Sequence, residues 1–433
     1  MKKGKGIALL PIGVFLVLYL GLGILFEYVM KIPMGFYNVP IVVAFLAAIL
    51  VACLQNRELS FDKKLEVMAQ GVGDKNIITM LLIFLAAGSF VGVVGRSSAE
   101  SVAYFMLSLI PARFSVAVLF VVACFVSVAM GTSVGTITLL TPIAAAVSQA
   151  SGFNLAFCVA SVMGGAMFGD NLSFISDTTI AACNGQGCEM KDKFRENFWI
   201  AFPAAVATLI LILVLSFQTE IQGHVSQSYH LVQVLPYVLV LIGGIIGINV
   251  FVVLISGIVI SLIVGVSMGH IALSEMFQVV GSGVTSMYDI TVISIIVACI
   301  VSLVKEHGGI QFILNLIKSN INGRRGAEFG IALLALFVDA CTANNTVAIV
   351  MTGPIAKEIS EEFDVDPRRS ASLLDMFTSV GQGIIPYGAQ LLSAATLTGL
   401  TPLQIIPNLY YPLLMGVCGV LAIIFRPQSK KLQ

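Results

Sequence analysis

Apolar runs of about 17–25 residues recur along the whole chain, separated by short polar stretches. That length suits a membrane-spanning helix, whose backbone satisfies its own hydrogen bonds in lipid. The alternating ten-residue pattern of a membrane β-barrel is absent. The pattern predicts segments at 7–29, 37–55, 77–95, 114–131, 135–149, 154–182 and 197–217. A second set follows at 231–248, 249–267, 289–305, 327–343, 346–358, 370–399 and 407–425. Some core segments are expected to be re-entrant hairpins or half-helices, so fourteen counts segments and not crossings. Segment 308–318 is expected to lie at the interface. The polar stretches 56–76, 183–197 and 218–230 read as loops, with no soluble domain.

A shift of 212 positions aligns the two halves. Gly71-Val72 falls on Gly283-Val284, Thr141-Pro142 on Gly353-Pro354, and Gly169-Asp170 on Gly381-Gln382. Basic residues test the relative orientation, because Lys and Arg accumulate in cytoplasmic loops. Residues 56–76 carry Arg57, Lys63, Lys64 and Lys75, and their partners 268–288 carry none. Lys191, Lys193 and Arg195 face none in 403–407. The bias then reverses: Lys357, Arg368 and Arg369 face none in 145–157, and Lys318, Arg324 and Arg325 face only Arg113. Equivalent segments thus carry their charge at opposite ends, as inverted repeats require. The expected fold is an all-α polytopic membrane protein of two inverted-topology repeats, 1–217 and 218–433, each of about seven segments with broken or re-entrant core helices. Both termini, with Lys2, Lys3 and Lys5, come out cytoplasmic, and the inner (cytoplasmic) membrane is the expected location.

Composition narrows the function. Hydrophobic residues make up 58% and charged residues 11%, with mean hydropathy +0.99. A soluble domain would carry roughly a quarter charged residues. With 23 basic and 23 acidic residues, no excess positive charge points to nucleic acid. The apolar stretch from Gly6 to Met30 is too long for a signal-peptide core and reads as a retained span. Six of the eight cysteines read as packing residues in apolar runs; Cys183 and Cys188 stand five apart without partners for a metal site. His224, His230, His270 and His307 fall in or beside loops. No nucleotide motif, nucleophile–base pairing or ligand set suggests an enzyme, and no cofactor is expected beyond transported Na⁺ and H⁺.

The informative residues are polar ones inside apolar segments, where a carboxylate costs about 2.5–3.5 kcal/mol at the bilayer centre. Asp170, Asp177, Asp339 and Asp375 raise that question. In Phe168-Gly-Asp-Asn-Leu-Ser-Phe-Ile-Ser-Asp-Thr-Thr179, a continuous helix would put Asp170, Ser173 and Asp177 on one face. Gly164, Gly165 and Gly169 allow close packing and a break. The alternative is a polar loop with Ser176 or Asp177 as a helix cap. Gly131-Thr-Ser-Val-Gly-Thr136 forms a second polar turn, and its partner is Ala343-Asn-Asn-Thr346. Gly381-Gln-Gly-Ile-Ile-Pro-Tyr-Gly388 matches the aspartate cluster but has no acid, so the halves are chemically unequal. The candidate ion- or substrate-binding residues are Asp170, Asn171, Ser173, Ser176, Asp177, Thr178, Thr132, Ser133, Asn344, Asn345, Asp375 and Gln382. Asp170, Asp177 and Ser173 are the candidate Na⁺ ligands, with Thr132 completing the oxygen shell and Asp375 as a second carboxylate. Asp339 reads equally well as structural.

These motifs resemble the NhaC-type Na⁺/H⁺ antiporters of the ion-transporter superfamily. The family pattern is close to Gly-Asp-x-x-Ser-Pro-x-Ser-Asp-Thr at 169–178, and Ile385-Pro-Tyr-Gly388 is similar to its Ile-Pro-Trp-Asn. The resemblance runs from about Gly71 to Leu400, with Phe174 in place of a proline and Tyr387-Gly388 in place of Trp-Asn. It implies a secondary active transporter exchanging Na⁺ for H⁺ by alternating access. The alternative is a Na⁺- or H⁺-coupled carrier of an amino acid or small organic acid, since the broader group includes such carriers. The expected partners are an inorganic cation and a proton, a small organic solute in the alternative, the lipid bilayer, and a second copy in a homodimer.

Overall fold

The structure, a computed structural model, describes residues 4–32, 38–174, 176–219, 229–246, 248–318, 321 and 323–426. Lys2, Lys3, His224 and most of the stretch 218–230 lie outside them. Every regular element among the described residues is helical. The first, α1, opens at Gly6 and ends at Val29, with wide π-helical turns at Val17–Gly21 and Leu25–Val29. Then come α2 (Ile41–Leu54), α3 (Phe61–Val72), α4 (Lys75–Leu109), α5 (Ser115–Met130), α6 (Ser133–Ser151), α7 (Leu155–Leu172), α8 (Asp177–Gln186) and α9 (Met190–Gln218). The second half holds α10 (Leu231–Ile245), α11 (Val250–Ser267), α12 (Met276–Ser286), α13 (Tyr288–Glu306), α14 (Gly309–Lys318), α15 (Gly323–Thr342), α16 (Asn345–Glu362), α17 (Pro367–Ile384), α18 (Ala389–Thr398), α19 (Pro402–Ile405) and α20 (Tyr410–Phe425).

The helix boundaries follow the 212-residue offset. The bounds of α7 fall on those of α17, and those of α8 on those of α18. Pro142 and Pro354 stand at matching places inside α6 and α16. Contacts between the halves are reciprocal. Helix α3 packs on α13 as α12 packs on α4, and α8 packs on α16 as α18 packs on α6.

Seven helices among the described residues are long and apolar enough to cross a membrane, or eight with the bent pair before and through α20. The fourteen predicted segments thus include half-helices. Val43, Leu46 and Leu50 on α2, and Ile255, Val259 and Ile263 on α11, form exposed apolar stripes at helical spacing. Such stripes suit contact with lipid.

Two readings of the polar stretches need correction. Residues 56–76 are not a simple loop: they contain α3, capped by Ser60, whose hydroxyl accepts from Lys63 N at 3.3 Å. Its repeat partner α12 occupies the matching stretch. Nor are all the basic residues there solvated. Lys64 is buried and donates to the carbonyls of Cys53 and Gln55, both at 2.7 Å, closing the end of α2. Lys193 and Arg369 are each 1% exposed and ion-paired, to Asp375 and Glu328.

Small residues let the core helices touch. A Cβ built on Gly169 would lie 2.5 Å from the Cys124 carbonyl oxygen and 2.6 Å from Val128 N. On Gly165 it would collide with the Phe120 carbonyl. This stripe, four residues apart on α7, seats α5 against α7. At the end of α5 the chain turns through Gly131 at φ 68°, and the equivalent residue after α15 is Ala343 at φ 51°. A Cβ in the left-handed region costs roughly 1–2 kcal/mol. Ala343→Gly is therefore expected to raise stability by about 1 kcal/mol, read as a higher melting temperature in detergent. A lower one would show that the alanine side chain is needed for packing.

Candidate transport site

Four helix breaks meet in the core: at Gly131–Thr132, Ser173–Ser176, Ala343–Asn344 and Ile385–Gly388. Each arises locally. Thr132 and Asn344 are N-caps of α6 and α16, accepting from Gly135 N at 3.3 Å and Val347 N at 3.0 Å. Ser176 caps α8, and Pro386 prevents α17 from continuing into α18. Residues from the first three breaks, together with Gln382, Ala389 and Gln390 flanking the fourth, line one cavity of about 80 Å³. That is room for a cation with a few waters, each needing about 30 Å³.

Asp170 lies in the last turn of α7 and is 7% exposed. Its Oδ2 accepts from Ser133 Oγ at 2.7 Å and its Oδ1 from Ser176 Oγ at 2.6 Å. Ser176 and Thr178 hydroxyls are 2.9 Å apart, and Gln390 Nε2 donates to Ser133 Oγ at 3.3 Å. Ser176 makes no capping bond with its side chain; the hydroxyl goes to Asp170 instead.

Asp170 sits at the C-terminal end of α7, beside the end of α5, and its oxygens meet Ser133 and Ser176 at the openings of α6 and α8, where helix N–H groups favour an acid. Asp177 itself opens α8, where an acid is favoured, and is exposed on the cavity wall.

Of the predicted residues, the cavity brings together Asp170, Ser176, Asp177, Thr178, Thr132, Ser133, Asn344, Asn345 and Gln382. It does not include Asn171, Ser173 or Asp375. The break after Leu172 means that Asp170, Ser173 and Asp177 do not share one helix face. Ser173 instead ends α7, its N–H donating to the Asp170 carbonyl at 3.2 Å. Asn171 Nδ2 bonds Ser379 Oγ at 3.2 Å, and Asp375 pairs with Lys193.

One residue is additional to the sequence reading. Gln390 lines the cavity, 212 positions after Thr178, so the repeat offset points to it. Asp339 is fully buried beneath Gln382, whose Nε2 donates to its Oδ1 at 2.8 Å. Its other oxygen has no hydrogen-bond partner among the described residues. A larger cavity of about 290 Å³ adjoins the site, and Ala343, Asn344 and Ala389 line both. Gln70 and Asp74, Ser294 and Lys305, and Tyr387 form its farther walls.

Comparison with known proteins agrees with this architecture. The model of the Na⁺/H⁺ antiporter family matches residues 8–219 and 224–426. The chain is 21% identical to the malate-2H⁺/Na⁺-lactate antiporter of Bacillus subtilis, over 96% of this chain and 93% of that one. It is 22% identical to the arginine/ornithine antiporter ArcD of Halobacterium salinarum, over 83% and 80%. It is 28% identical to the Na⁺/H⁺ antiporter NhaC of Alkalihalophilus pseudofirmus, over 49% and 44%. With the family model matched over nearly the whole chain, the chain belongs to the Na⁺/H⁺ antiporter family, whose members are secondary active transporters.

Proposed function

We propose that the cavity at the four breaks is the transport site and that Asp170 holds Na⁺ and H⁺ in turn. One observation carries this: a buried carboxylate, with both oxygens on serine hydroxyls, faces a cavity lined by three of the breaks and by the helices flanking the fourth. An ionised carboxylate at this depth is costly unless a cation or proton neutralises it. Either ion neutralises the carboxylate, so a proton competes with Na⁺. The Ser133 and Ser176 hydroxyls donate to Asp170 and keep lone pairs free for Na⁺, a hard cation that takes oxygen ligands. The Thr132 hydroxyl and Asp177 lie on the same cavity wall. One site that takes either ion but not both, opened alternately to the two sides, exchanges them.

The larger cavity is the entry path in this conformation. It abuts α3 and the end of α13, on the side where Gln55 Nε2 bonds the Ile7 carbonyl and Lys5 N bonds Gly308 O. The exposed charges of 56–76 and Lys5 lie there, and Lys and Arg favour the cytoplasm. Arg426, just after α20, meets the start of α9, where its Nη2 pairs with Glu196 Oε2 at 2.6 Å beside exposed Lys191 and Arg195. These contacts support cytoplasmic termini and an inward-open state in an inner membrane.

A second reading keeps the same site but adds a solute. A cavity of about 290 Å³ is far larger than Na⁺ requires, and two long-matching relatives are named for organic cargo. Liposomes with a trapped pH dye decide between the readings. Na⁺-driven proton movement without solute supports simple exchange. Proton or Na⁺ movement only when malate, lactate or arginine is supplied supports the coupled carrier. Ser133→Ala and Ser176→Ala each remove a bond to a charged group, worth about 1.5–3 kcal/mol. Each is expected to raise half-saturating Na⁺ about tenfold or more in that assay. An unchanged value in both would remove the hydroxyls from the site.

A further inference from the structure

Behind the cavity lies a buried ionic cluster that takes no direct part in ion binding. Lys193 near the start of α9 and Asp375 on α17 are each 1% exposed, and their ion pair measures 2.6 Å. Burying two charges is favourable only when further hydrogen bonds satisfy what the pair leaves over. The bonds made here converge on the break that carries Asp170, while Asp375 Oδ1 and Asn197 Oδ1 stay buried without a partner among the described residues. Lys193 Nζ donates to Thr179 Oγ1 at 2.6 Å and reaches the Asn171 carbonyl at 3.5 Å. Asn197, one turn along α9, donates through Nδ2 to the Asn171 carbonyl and to Asp375 Oδ2, both at 2.8 Å.

Asn171 directly follows Asp170, and Thr179 lies in the first turn of α8. The ammonium and the Asn197 amide therefore grip the chain on both sides of the break. The Asn171 carbonyl is among the last of α7, left without a helical donor, where a cation is favoured. The pair is neutral as a whole and adds no net charge beside the site.

The second repeat shows that packing alone does not require this cluster. Ile405 and Leu409 stand 212 positions after Lys193 and Asn197, Leu391 stands 212 after Thr179, and Met163 stands 212 before Asp375. The offset thus places apolar residues at all four equivalent positions, and Gln382 stands in the place of Asp170.

We propose that Lys193, held by Asp375 and assisted by Asn197, is a positioning residue for cation binding. It sets the separation of the two sides of the break so that Ser176 meets Asp170. The inference rests on the reading of Asp170 as the ion-carrying group. The test is the Na⁺ dependence of exchange in liposomes for the paired apolar variant Lys193→Met with Asp375→Leu. The expected result is half-saturating Na⁺ raised about tenfold, with exchange recovered at saturating Na⁺. A value within about twofold of the parent overturns the proposal, since a merely structural pair would change yield or melting temperature but not Na⁺ affinity. If the double variant is not monodisperse, Thr179→Val decides. It removes one hold at nearly constant volume and is expected to raise half-saturating Na⁺ about threefold, and no change overturns the proposal. The two readings fail differently. Parent-like exchange in Asp170→Asn overturns the site and this inference together, whereas unchanged affinity in the Lys193 variants overturns only the inference.

Discussion

Asp170→Asn is expected to abolish Na⁺-driven proton movement, by at least about two orders of magnitude, in a protein that still inserts and folds. The substitution is nearly isosteric. An asparagine amide can still bond the Ser133 and Ser176 hydroxyls, so the local geometry survives. What disappears is the charge that attracts Na⁺ and the group that takes a proton. Removing an uncompensated buried charge is not expected to lower stability. The melting temperature in detergent should therefore be unchanged or higher. Dye-loaded liposomes give the rate, and size-exclusion profiles give the fold. Retained pH-dependent exchange would transfer the role to another carboxyl group, with Asp177 on the same cavity wall the first candidate.

The second large effect concerns packing. Gly169→Ala is expected to destabilise the protein by more than about 3 kcal/mol and to reduce the yield of folded protein severely. The added methyl would meet the Cys124 carbonyl, Ser127 Cβ and Val128 N, all between 2.5 and 2.6 Å. Two of these are backbone atoms of α5, which cannot turn aside as a long side chain can. Helices α5 and α7 must separate, and their ends carry the Thr132–Ser133 turn and Asp170. Any variant protein that folds is therefore expected to show weakened Na⁺ dependence as well. Gly326→Ala is the control, because its added Cβ would meet nothing within 4 Å. Normal yield for Gly169→Ala would show that the α5–α7 contact is looser than the geometry implies.

Much of this architecture is legible in the residues, for physical reasons that differ by element. Long apolar runs report spans because lipid demands them. The 212-residue offset reports the repeat because glycine, proline and polar turns must recur wherever a helix breaks. It carries Leu155–Leu172 onto Pro367–Ile384 without adjustment. Helices α3 and α12 escape such reading because they are short and amphipathic, and their polar faces resemble loops. Lys193 escapes notice because it falls in a stretch that reads as a loop. Asp375 stands 182 positions from Lys193, and no local pattern announces that pairing.

The site divides the same way. The Gly-Asp cluster and the Thr132–Ser133 turn are visible as polar residues in apolar segments. That Ser133 bonds Asp170 is not, because it depends on α5 and α7 crossing through glycine. The helical reading of Asp170, Ser173 and Asp177 fails for an instructive reason. The break that makes a site possible also destroys the periodicity used to group its residues.

The most direct test of the central claim is proton release on Na⁺ binding, measured by a pH indicator in weakly buffered detergent solution without any membrane. The account predicts that Na⁺ added to the parent protein releases protons saturably, and that Asp170→Asn releases none. Saturable Na⁺ binding without proton release, or equal release from Asp170→Asn, would contradict the claim that one carboxylate holds the two ions in turn.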